Sequence, residues 1–373
     1  MKILIAGDFC PQYRVASLFE SKDFETVLGE IKPVLEESDF SIVNFECPIC
    51  KGTEKPIVKY GPNLQCSEKG VEAVKWAGFN CVTLANNHFY DYGDEGVIGT
   101  LEACEKNGID HVGGGKNLFE ASQVLYKKIA DQRLAIVNCC EHEFSIATET
   151  TGGSNPLNPI RQFYEIQEAK SKSDYVIVIV HGGHEQYQLP SPRMVETYRF
   201  FIDAGADAVV NHHQHCYSGY ETYKGKPIFY GLGNFCFDTK PPYPIGWTNG
   251  YMVQLNFQTE SIKTLIYPYS QCAEKIGVKL LADNAFDKEI ENFNNIITDC
   301  RLLLEQTKCY YESSMQSMAL SVDPTQNRII SALQRRHLLP LSYSKKWLTK
   351  MRDFILCEAH RDRIDFFLKN YKL

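Results

Sequence analysis

The chain has 373 residues, of which 44% are hydrophobic and 12% aromatic, so it can bury a large core and is expected to be a soluble globular protein. Its net charge of −7 argues against a nucleic-acid binder, because phosphate backbones are bound by basic surfaces. No apolar stretch reaches the ~18 residues of a membrane span, and no secretory signal is visible. Fourteen cysteines without an export signal predict buried free thiols in a reducing cytoplasm.

The first half of the chain alternates predicted strands with predicted helices. Short apolar or β-branched runs predict strands, and apolar residues at every third or fourth position predict helices. In chain order these are strand 2–6, helix 24–37, strand 40–44, helix 67–77 with Ser67 as its N-cap, strand 80–85, helix 94–107 and strand 110–112. This alternation is typical of a parallel sheet.

The second half begins in the same way and ends in successive strands. It comprises a hairpin of 122–129 and 133–138, helix 161–170, strand 175–180, helix 192–204, strand 207–210 and further strands at 217–223, 227–230, 250–257 and 261–269. Runs of strands without intervening helices indicate a second sheet. The order of elements therefore predicts an α/β fold in which two sheets pack face to face with helices outside.

From residue 273 onward the pattern becomes helical, which predicts a main domain at 1–272 and a C-terminal helical extension at 273–373. Helices are predicted at 287–306, 324–337 and 344–370, although the first of these can also pack on the core. An apolar stripe on the last helix consists of Trp347, Met351, Phe354, Ile355, Glu358, Ile364, Phe367 and Leu368. A nearby basic run consists of Arg335, Arg336, His337, Lys345, Lys346, Lys350 and Arg352. It is either a solvated face or a surface for an anionic polymer or membrane partner.

Polar side chains able to bind a metal follow the apolar runs, at the points where the predicted strands end. They are Asp8, Glu46, Asn87, His181, His213 and His215. Ligands of open α/β sheets bind beyond the carboxyl ends of parallel strands, so these side chains are expected to meet. A mixture of imidazole and carboxylate suits first-row divalent ions, and one or two ions of Mn, Zn or Fe are expected.

Most of these residues also have a simpler interpretation. Asp8 follows a glycine, a common turn or capping pattern, and Asn87 is a common turn residue. His213 and His215 can be ordinary loop histidines. Glu46 has no comparable turn role, and a carboxylate at the end of a buried strand needs a partner. Its two oxygens are suited to bridging two ions.

Further polar residues lie beside the predicted ligands. His88 is a candidate general acid or base, because imidazole titrates near neutral pH. Asp91 either orients that ring or caps a helix. His184 and Glu185 contact substrate, support a ligand or are structural, and Asn234 either closes the site or forms a turn. Structural roles are assigned to the histidines without clustered partners in the sequence, His111, His142, His337 and His360.

Seven motifs follow one another in an unbroken order over roughly residues 1–269. They are Gly7-Asp8, Asn44-Phe45-Glu46-Cys47-Pro48-Ile49, Asn86-Asn87-His88-Phe89-Tyr90-Asp91-Tyr92-Gly93, His181-Gly182-Gly183-His184-Glu185, Ala204-Gly205-Ala206-Asp207-Ala208-Val209-Val210, His212-His213-Gln214-His215 and Tyr230-Gly231-Leu232-Gly233-Asn234-Phe235-Cys236-Phe237-Asp238. Together they resemble the CapA family of capsule and poly-γ-glutamate biosynthesis proteins. That family in turn resembles the calcineurin-like metallophosphoesterases.

The resemblance implies a four-layer α/β/β/α sandwich with a two-metal site at one end. In that arrangement Asp8 and His215 bind the first ion and Glu46 bridges both ions. The second ion is bound by Asn87, His181 and His213, and His88 occupies the position of the leaving-group acid.

The sequence departs from the phosphoesterase pattern at the first metal position. Cys10 stands where that pattern has a histidine, and Glu46 replaces the bridging aspartate. Asn86, Asn211 and Gln214 also replace residues usual in these families. The first ion therefore has fewer protein ligands, and unequal affinities are expected. Cys10 either adds a thiolate ligand or is a buried, inert thiol.

The expected activity is metal-assisted hydrolysis or transfer acting on a phosphoester or on an anionic surface polymer, with possible ties to surface-polymer machinery. The alternative is a non-catalytic protein that uses metal to handle or assemble such a polymer. A redox role, suggested by the spacing of Cys47 and Cys50, is a third and weaker alternative.

Overall fold

The computed structural model describes residues 1–258, 261–322 and 345–370, together with positions 333, 336 and 338. Its strands are β1 (Lys2–Cys10), β2 (Phe40–Phe45), β3 (Cys81–Thr83), β4 (Asp110–Val112), β5 (Gly114–Gly115), β6 (Leu125–Ile129), β7 (Gln132–Cys140), β8 (Gly153–Ser154), β9 (Tyr175–His181), β10 (Ala208–His212), β11 (Tyr220–Tyr223), β12 (Lys226–Phe229), β13 (Asn234–Phe237), β14 (Asn249–Phe257), β15 (Ile262–Gln271) and β16 (Val278–Leu280). Its helices are α1 (Tyr13–Glu20), α2 (Phe24–Leu28), α3 (Lys32–Glu36), α4 (Lys69–Ala77), α5 (Gly93–Asn107), α6 (Leu118–Ala121), α7 (Pro159–Lys172), α8 (Pro192–Asp203), α9 (Asp287–Thr298), α10 (Cys300–Val322), α11 (Lys345–Leu356) and α12 (Glu358–Asn370).

Two large sheets form the middle of the fold. The first has the order β16-β15-β14-β1-β2-β3-β4, with β13 also paired to β1, and its strands β1 to β4 are parallel. The second has the order β11-β12-β10-β9-β7-β6, with β7, β9, β10 and β12 parallel. Parallel strands place their carboxyl ends at one edge of each sheet, which is where ligands gather in α/β folds.

Side chains alternate between the two faces of each central strand. Ile3 and Ile5 of β1 belong to the same buried cluster as Ile177 and Ile179 of β9, between the sheets. Leu4 faces the other way, into the cluster formed with α1 to α5. Helices α7 and α8 cover the outer face of the second sheet in the same manner. The result is a four-layer α/β/β/α sandwich, which confirms the predicted fold class.

The first elements differ from the sequence prediction in extent. β1 continues beyond the predicted range 2–6, so that Asp8 lies within the strand. The predicted helix 24–37 is divided into α2, a short 3-10 turn and α3. Gly29 begins the 3-10 turn and Pro33 lies at the start of α3, and both residue types weaken a continuous helix. Helix α1 was not predicted.

One local prediction was wrong, and one of two alternative interpretations was excluded. Glu68, not Ser67, is the N-cap of α4, and the Ser67 hydroxyl accepts a hydrogen bond from the backbone N–H of Lys69. Asn234 does not form a turn but begins β13, where it pairs with Asp8 of β1. The strand that begins at Asn234 was not predicted from the sequence.

The C-terminal helices are divided differently from the prediction, and α10 continues past the predicted end at residue 306. The predicted helix 287–306 is divided between α9 and α10, because the Asp299 carboxylate accepts hydrogen bonds from two backbone N–H groups and so caps the second helix. The predicted helix 344–370 is divided into α11 and α12 at Cys357. The predicted helix 324–337 lies almost wholly outside the described residues.

The predicted apolar stripe of the last helices is only partly buried. Phe354 and Phe367 form a small cluster of their own, packed with Met315, Met351 and Ile364. Ile355 and Leu368 are exposed. The C-terminal helices therefore make a separate, small hydrophobic core.

The first sheet continues past the predicted domain boundary, since β16 pairs with β15. The division of the chain between residues 272 and 273 stays a prediction. Among the helices that the structure describes, none combines the length and the hydrophobicity needed to cross a bilayer.

Candidate metal centre

A bulge in β1 turns Asp8 toward the space between the sheets. Ala6 pairs with Val43 and Asp8 with Asn44, so Gly7 is left out of the register. Without this bulge Asp8 would share the outer face of Leu4, whereas the extra residue gives it the face of Asn44. A side chain at Gly7 has no room, because a Cβ there would overlap the carbonyl oxygen of Gly233.

Glu46 lies immediately after β2 at the middle of the cluster. Its backbone N–H donates to the carbonyl of Phe9 at 2.9 Å, which fixes the residue beside β1. Both carboxylate oxygens are buried and have no hydrogen-bond partner among the described residues. Oε1 lies 3.6 Å from Nε2 of His181 and 3.6 Å from Nε2 of His215. A buried carboxyl without hydrogen-bond partners is either protonated or balanced by a cation.

His181 ends β9 and contacts ligand candidates from two other elements. Its Nε2 lies 3.0 Å from Oδ1 of Asn87 and 3.0 Å from Nδ1 of His213. Its other ring nitrogen, Nδ1, lies 3.2 Å from Nδ2 of Asn44. The residues predicted from the ends of β3, β9 and β10 therefore meet, as expected for parallel strands.

The two histidines that follow β10 have unusual backbone conformations. His213 has φ 94° and His215 has φ 56°, in the left-handed region that side chains other than glycine rarely adopt. The backbone N–H of His213 donates to Oδ2 of Asp8 at 3.3 Å, which helps to hold this turn. Such strain costs about 1–3 kcal/mol per residue and is concentrated at functional sites.

At the strand ends, two groups of residues could each surround an ion, with one ligand atom from each residue. Within each group these atoms lie within 4.8 Å of one another. One group is Asp8, Glu46 and His215, and the other is Glu46, His181 and His213. Glu46 is common to both, as the bridging assignment requires.

Cys10 lies near the first group but belongs to neither group. Its Sγ is 3.4 Å from Nε2 of Gln12, and burial raises the pKa of its thiol. Asn87 completes the second group through its contact with His181, which leaves the first group with fewer protein ligands.

The pKa values of the clustered groups are shifted because these groups are buried close together. Burial, reinforced by Asp8, raises the pKa of Glu46 well above its usual range. Burial also lowers the pKa of His181, with a further contribution from His213. For His215, burial opposes protonation, but Glu46 and Asp8 outweigh it and raise the pKa to about 10. In the free protein, a proton on His215 thus partly balances the carboxylates, a role that a bound cation would take over.

Asn44 holds two members of the cluster in place through its side-chain amide. Its Nδ2 donates to Oδ1 of Asp8 at 2.7 Å and also contacts His181, while its Oδ1 accepts from Thr83 at 3.2 Å. Its position at a strand end was visible in the sequence, but its supporting role depends on the bulge at Gly7. His212 was also missed, although its Nδ1 lies 3.4 Å from Oδ1 of Asp8.

His88 lies in a buried charged triad at the edge of the cluster. Its Nδ1 contacts Oδ2 of Asp91 at 2.7 Å, which is the orienting contact predicted from the sequence. Lys59 is buried beside both side chains, with its Nζ 3.1 Å from His88 Nδ1 and paired with Asp91. Burial and the Lys59 charge lower the pKa of His88. Lys59 was not predicted, because it comes from a loop without periodicity.

His215 is packed on two sides. Its Nδ1 contacts Oδ1 of Asn234 at 2.9 Å, and its ring lies 4.9 Å from the ring of Trp247. Asn234 thus closes the cluster from β13, as one of the two sequence interpretations proposed.

A cavity of about 380 Å³ opens beside the second group. It lies between the segment after β9 and the C-terminal helices, and its lining includes His184, Glu185, His213, Tyr310, His360 and Arg363. Nε2 of His184 lies 3.0 Å from the Tyr311 hydroxyl. The helical extension therefore completes one wall of the candidate site. A larger groove of about 1080 Å³ runs along α5 and includes none of the clustered ligands.

The fold is thus a four-layer α/β/β/α sandwich with carboxylate, amide and imidazole groups gathered where its parallel strands end. The sequence assigns the chain more closely. Residues 2–239 match the family described as bacterial capsule synthesis protein PGA_cap, and the chain belongs to this family. The resemblance to CapA proteins is thus confirmed.

Curated relatives agree with this assignment. The chain is 34% identical to the capsule biosynthesis protein CapA of Bacillus anthracis over 66% of its own length and 61% of the relative. It is 33% identical to the PGA biosynthesis protein CapA of Bacillus subtilis over 65% of its own length and 63% of the relative. The chain thus spans about three fifths of these relatives.

More distant proteins were also found. A probable polyglutamine synthesis accessory protein of Mycobacterium tuberculosis is 28% identical over 57% of this chain and 60% of the relative. Among solved structures, a hypothetical protein from Thermus thermophilus has a TM-score of 0.46 at 14% identity, covering 76% of this chain and 100% of that chain. A putative 5'-nucleotidase from Staphylococcus aureus has a TM-score of 0.43 at 14% identity, covering 78% and 58%.

Proposed function

We propose that this chain is a metal-dependent hydrolase with phosphoesterase-like two-metal chemistry that acts in the synthesis of a capsule or poly-γ-glutamate type polymer. Asp8 and His215 would hold the first ion, and Asn87, His181 and His213 would hold the second, with Glu46 available to both. Mn, Zn or Fe are the expected metals.

The observation that supports this most strongly is the environment of Glu46. Its two buried oxygens lack hydrogen-bond partners among the described residues and lie between two sets of imidazoles. A carboxylate is rarely buried in this way unless a cation balances it. When bound, a pair of divalent ions supplies an activated water and charge stabilisation at the reacting oxygens.

The remaining catalytic group is His88. Asp91 holds the ring through Nδ1, so that Nε2 is the nitrogen available for proton transfer. The buried Lys59 disfavours the doubly protonated ring, and a proton held on Nε2 is therefore readily donated to a leaving group. In this role His88 is the general acid, and Asp91 and Lys59 are its positioning residues.

The substrate class follows from the cavity beside His213. Arg363 contributes a cationic group to it and His184 is buried at its wall, while Glu185 adds one carboxylate to the lining. The guanidinium and the imidazole suit a carboxylate or phosphate. The relatives are named for capsule and PGA biosynthesis. An anionic polymer, or a phosphoester intermediate of its synthesis, is thus the proposed substrate.

The test is a hydrolysis screen of the purified full chain with added Mn²⁺, Zn²⁺ or Mg²⁺. The substrates are a phosphomonoester, a phosphodiester and poly-γ-glutamate. Asn87→Ala, His88→Ala and His213→Ala are each expected to lower turnover at least ~100-fold. Glu168→Gln, on the exposed face of α7, serves as the control and should retain full activity. Equal activity in all five proteins would contradict the proposal.

A second function is favoured by the naming of a relative as a synthesis accessory protein. Here the metal would shape a polymer-binding surface without chemistry. This alternative predicts metal-dependent binding of poly-γ-glutamate by the wild-type chain, weaker binding by His213→Ala, and no turnover of any substrate in the screen.

A further inference from the structure

A third group of metal-ligand side chains lies away from the strand ends, where the C-terminal helices meet the core. It consists of Glu143, Asp353, Cys357 and His360, whose ligand atoms lie within 4.8 Å of one another. Glu143 belongs to the segment that follows β7, and the other three lie around the corner between α11 and α12. No sequence motif connects these residues, because Glu143 is far from the other three along the chain.

The corner between the two helices is built so that these side chains converge. Asp353 and Cys357 are four residues apart, and the N–H of Cys357 donates to the carbonyl of Asp353 at 2.8 Å, as in one helical turn. Nδ1 of His360, on the next helix, lies 2.7 Å from Oδ2 of Asp353. Three of the four ligands are thus placed by local backbone geometry.

The fourth side chain is brought in by neighbouring contacts. His142 and Glu141 both bind the start of α12. The N–H of His142 donates to Glu358 at 2.8 Å, and the N–H of Ala359 donates to Glu141 at 3.2 Å. These contacts hold Glu143, the next residue along, against the corner.

One polar atom in this group is left without a partner. Asp353 is only 4% exposed, and its Oδ1 accepts no hydrogen bond from any described residue. The group also combines two carboxyls and a thiol with a single imidazole.

We propose that Glu143, Asp353, Cys357 and His360 bind a zinc ion that fastens the C-terminal helices to the core. Four ligands including one sulfur and one imidazole nitrogen suit tetrahedral Zn²⁺ better than Mg²⁺ or Ca²⁺. Binding forms a sulfur–zinc bond and releases the proton of the Cys357 thiol to solvent. Since His360 also lines the cavity beside His213, this ion would fix one wall of the candidate site.

The thiolate ligand permits a direct test with Co²⁺, a spectroscopic substitute for Zn²⁺. Titration of the full chain with Co²⁺ should produce a near-ultraviolet sulfur-to-cobalt charge-transfer band that Zn²⁺ abolishes by competition. Cys357→Ser should lose the band. Cys309→Ser, at an exposed cysteine of α10, and Glu46→Gln, in the strand-end cluster, should both retain it. A wild-type protein without the band, or a band that persists in Cys357→Ser, would overturn the proposal.

A thermal measurement separates zinc binding from misfolding of the variant. Metal-free wild type and Cys357→Ser should melt at similar temperatures. Added Zn²⁺ should raise the Tm of the wild type and of Glu46→Gln, because it binds only the folded state. It should raise the Tm of Cys357→Ser and His360→Ala clearly less. If Zn²⁺ raised the Tm of Cys357→Ser as much as that of Glu46→Gln and of the wild type, the ion would bind elsewhere.

Discussion

Glu46 is the residue on which the candidate centre depends. It is fully buried, its carboxylate lies within 3.6 Å of two histidines, and no described group donates to it. In the metal-free protein this arrangement is unfavourable, because burial and the nearby Asp8 oppose its ionisation. In the proposed metal centre, this loss of stability would accompany the ability to hold cations.

Glu46→Gln should therefore have opposite effects on the stability of the metal-free protein and on metal binding. The metal-free variant should be as stable as the wild type or up to ~2 kcal/mol more stable, since a buried charge is removed. Its affinity for Mn²⁺ or Zn²⁺ should fall at least ~10-fold. Urea unfolding in EDTA and calorimetric metal titration measure the two quantities. A variant that is less stable yet binds metal normally would show that Glu46 is structural.

For individual residues, the sequence predicted which side chains gather at the candidate centre better than it predicted their contacts. Asp8, Glu46, Asn87, His181 and His213 could be named because each follows an apolar run, and parallel strands bring such ends together. Lys59 and His212 could not be assigned, since their roles depend on distances across the fold. The same holds for His142 and His360, which were given isolated structural roles but pair with Glu358 and Asp353.

Among the elements, β1 is the one that most affects the centre. Its bulge at Gly7 turns Asp8 inward, and the backbone of Gly233 passes against Gly7 with no space for a side chain. Sequence periodicity recovered the start of this strand but not its continuation, because a bulge interrupts the alternation on which the prediction rests. Strand β13, which pairs with β1, was also missed.

Gly7→Ala should therefore disturb the centre through the backbone. The added methyl group meets the Gly233 carbonyl, which cannot move without shifting β13. We expect a loss of about 1–3 kcal/mol in unfolding free energy and weaker metal binding. Gly29→Ala is the matched control, because there the new methyl meets only the flexible end of Glu25. Equal effects of the two substitutions in urea unfolding and metal titration would refute this account.

Helix α7 offers a test of pH dependence away from the metal ligands. Burial raises the pKa of Glu165 above its ordinary value, although Gln162 donates to it at 3.2 Å. For a carboxyl with a raised folded-state pKa, the stability contribution is present below the unfolded pKa, about 4.3, and is lost as the pH rises through the folded pKa. The ionised form at high pH is thus the unfavourable one.

Glu165→Gln should accordingly raise the Tm at pH 8 and have little effect near pH 4. The expected difference at pH 8 is on the order of 1 kcal/mol or less. Glu168→Gln, on the exposed face of the same helix, should show no such crossover. Identical pH profiles for the wild type and Glu165→Gln would mean that burial does not perturb this carboxyl.

For the whole molecule, the main question is how the C-terminal helices are attached. Arg193 of α8 contacts Asp362 of α12 at 2.8 Å and Glu141 of the core at 2.8 Å. Tyr310 stacks on Tyr187 with ring centroids 4.0 Å apart. These helices were recognised in the sequence as a separate segment, but their contact with the candidate site was not, because docking of polar faces leaves no periodic signal.

Arg193→Ala should loosen this attachment. It leaves the nearly buried Glu141 carboxylate short of a partner, at a cost of about 1–3 kcal/mol. Hydrogen exchange should speed up in α12 and remain slow in β9 and β10. Arg301→Ala, at an exposed position of α10, should change neither. Uniform acceleration throughout the chain would mean that Arg193 stabilises the core and not the docking of α12.

The side chains around Glu46 are expected to bind divalent metal. The metal content of the full chain tests this expectation most directly. The measurement uses the Cys357→Ser background, loaded with Mn²⁺ or Zn²⁺ and freed of excess metal by gel filtration. This protein should retain at least about one equivalent, and adding His181→Ala and His213→Ala should reduce the content at least ~10-fold. Equal metal content in the two proteins, or none in either, would contradict the account.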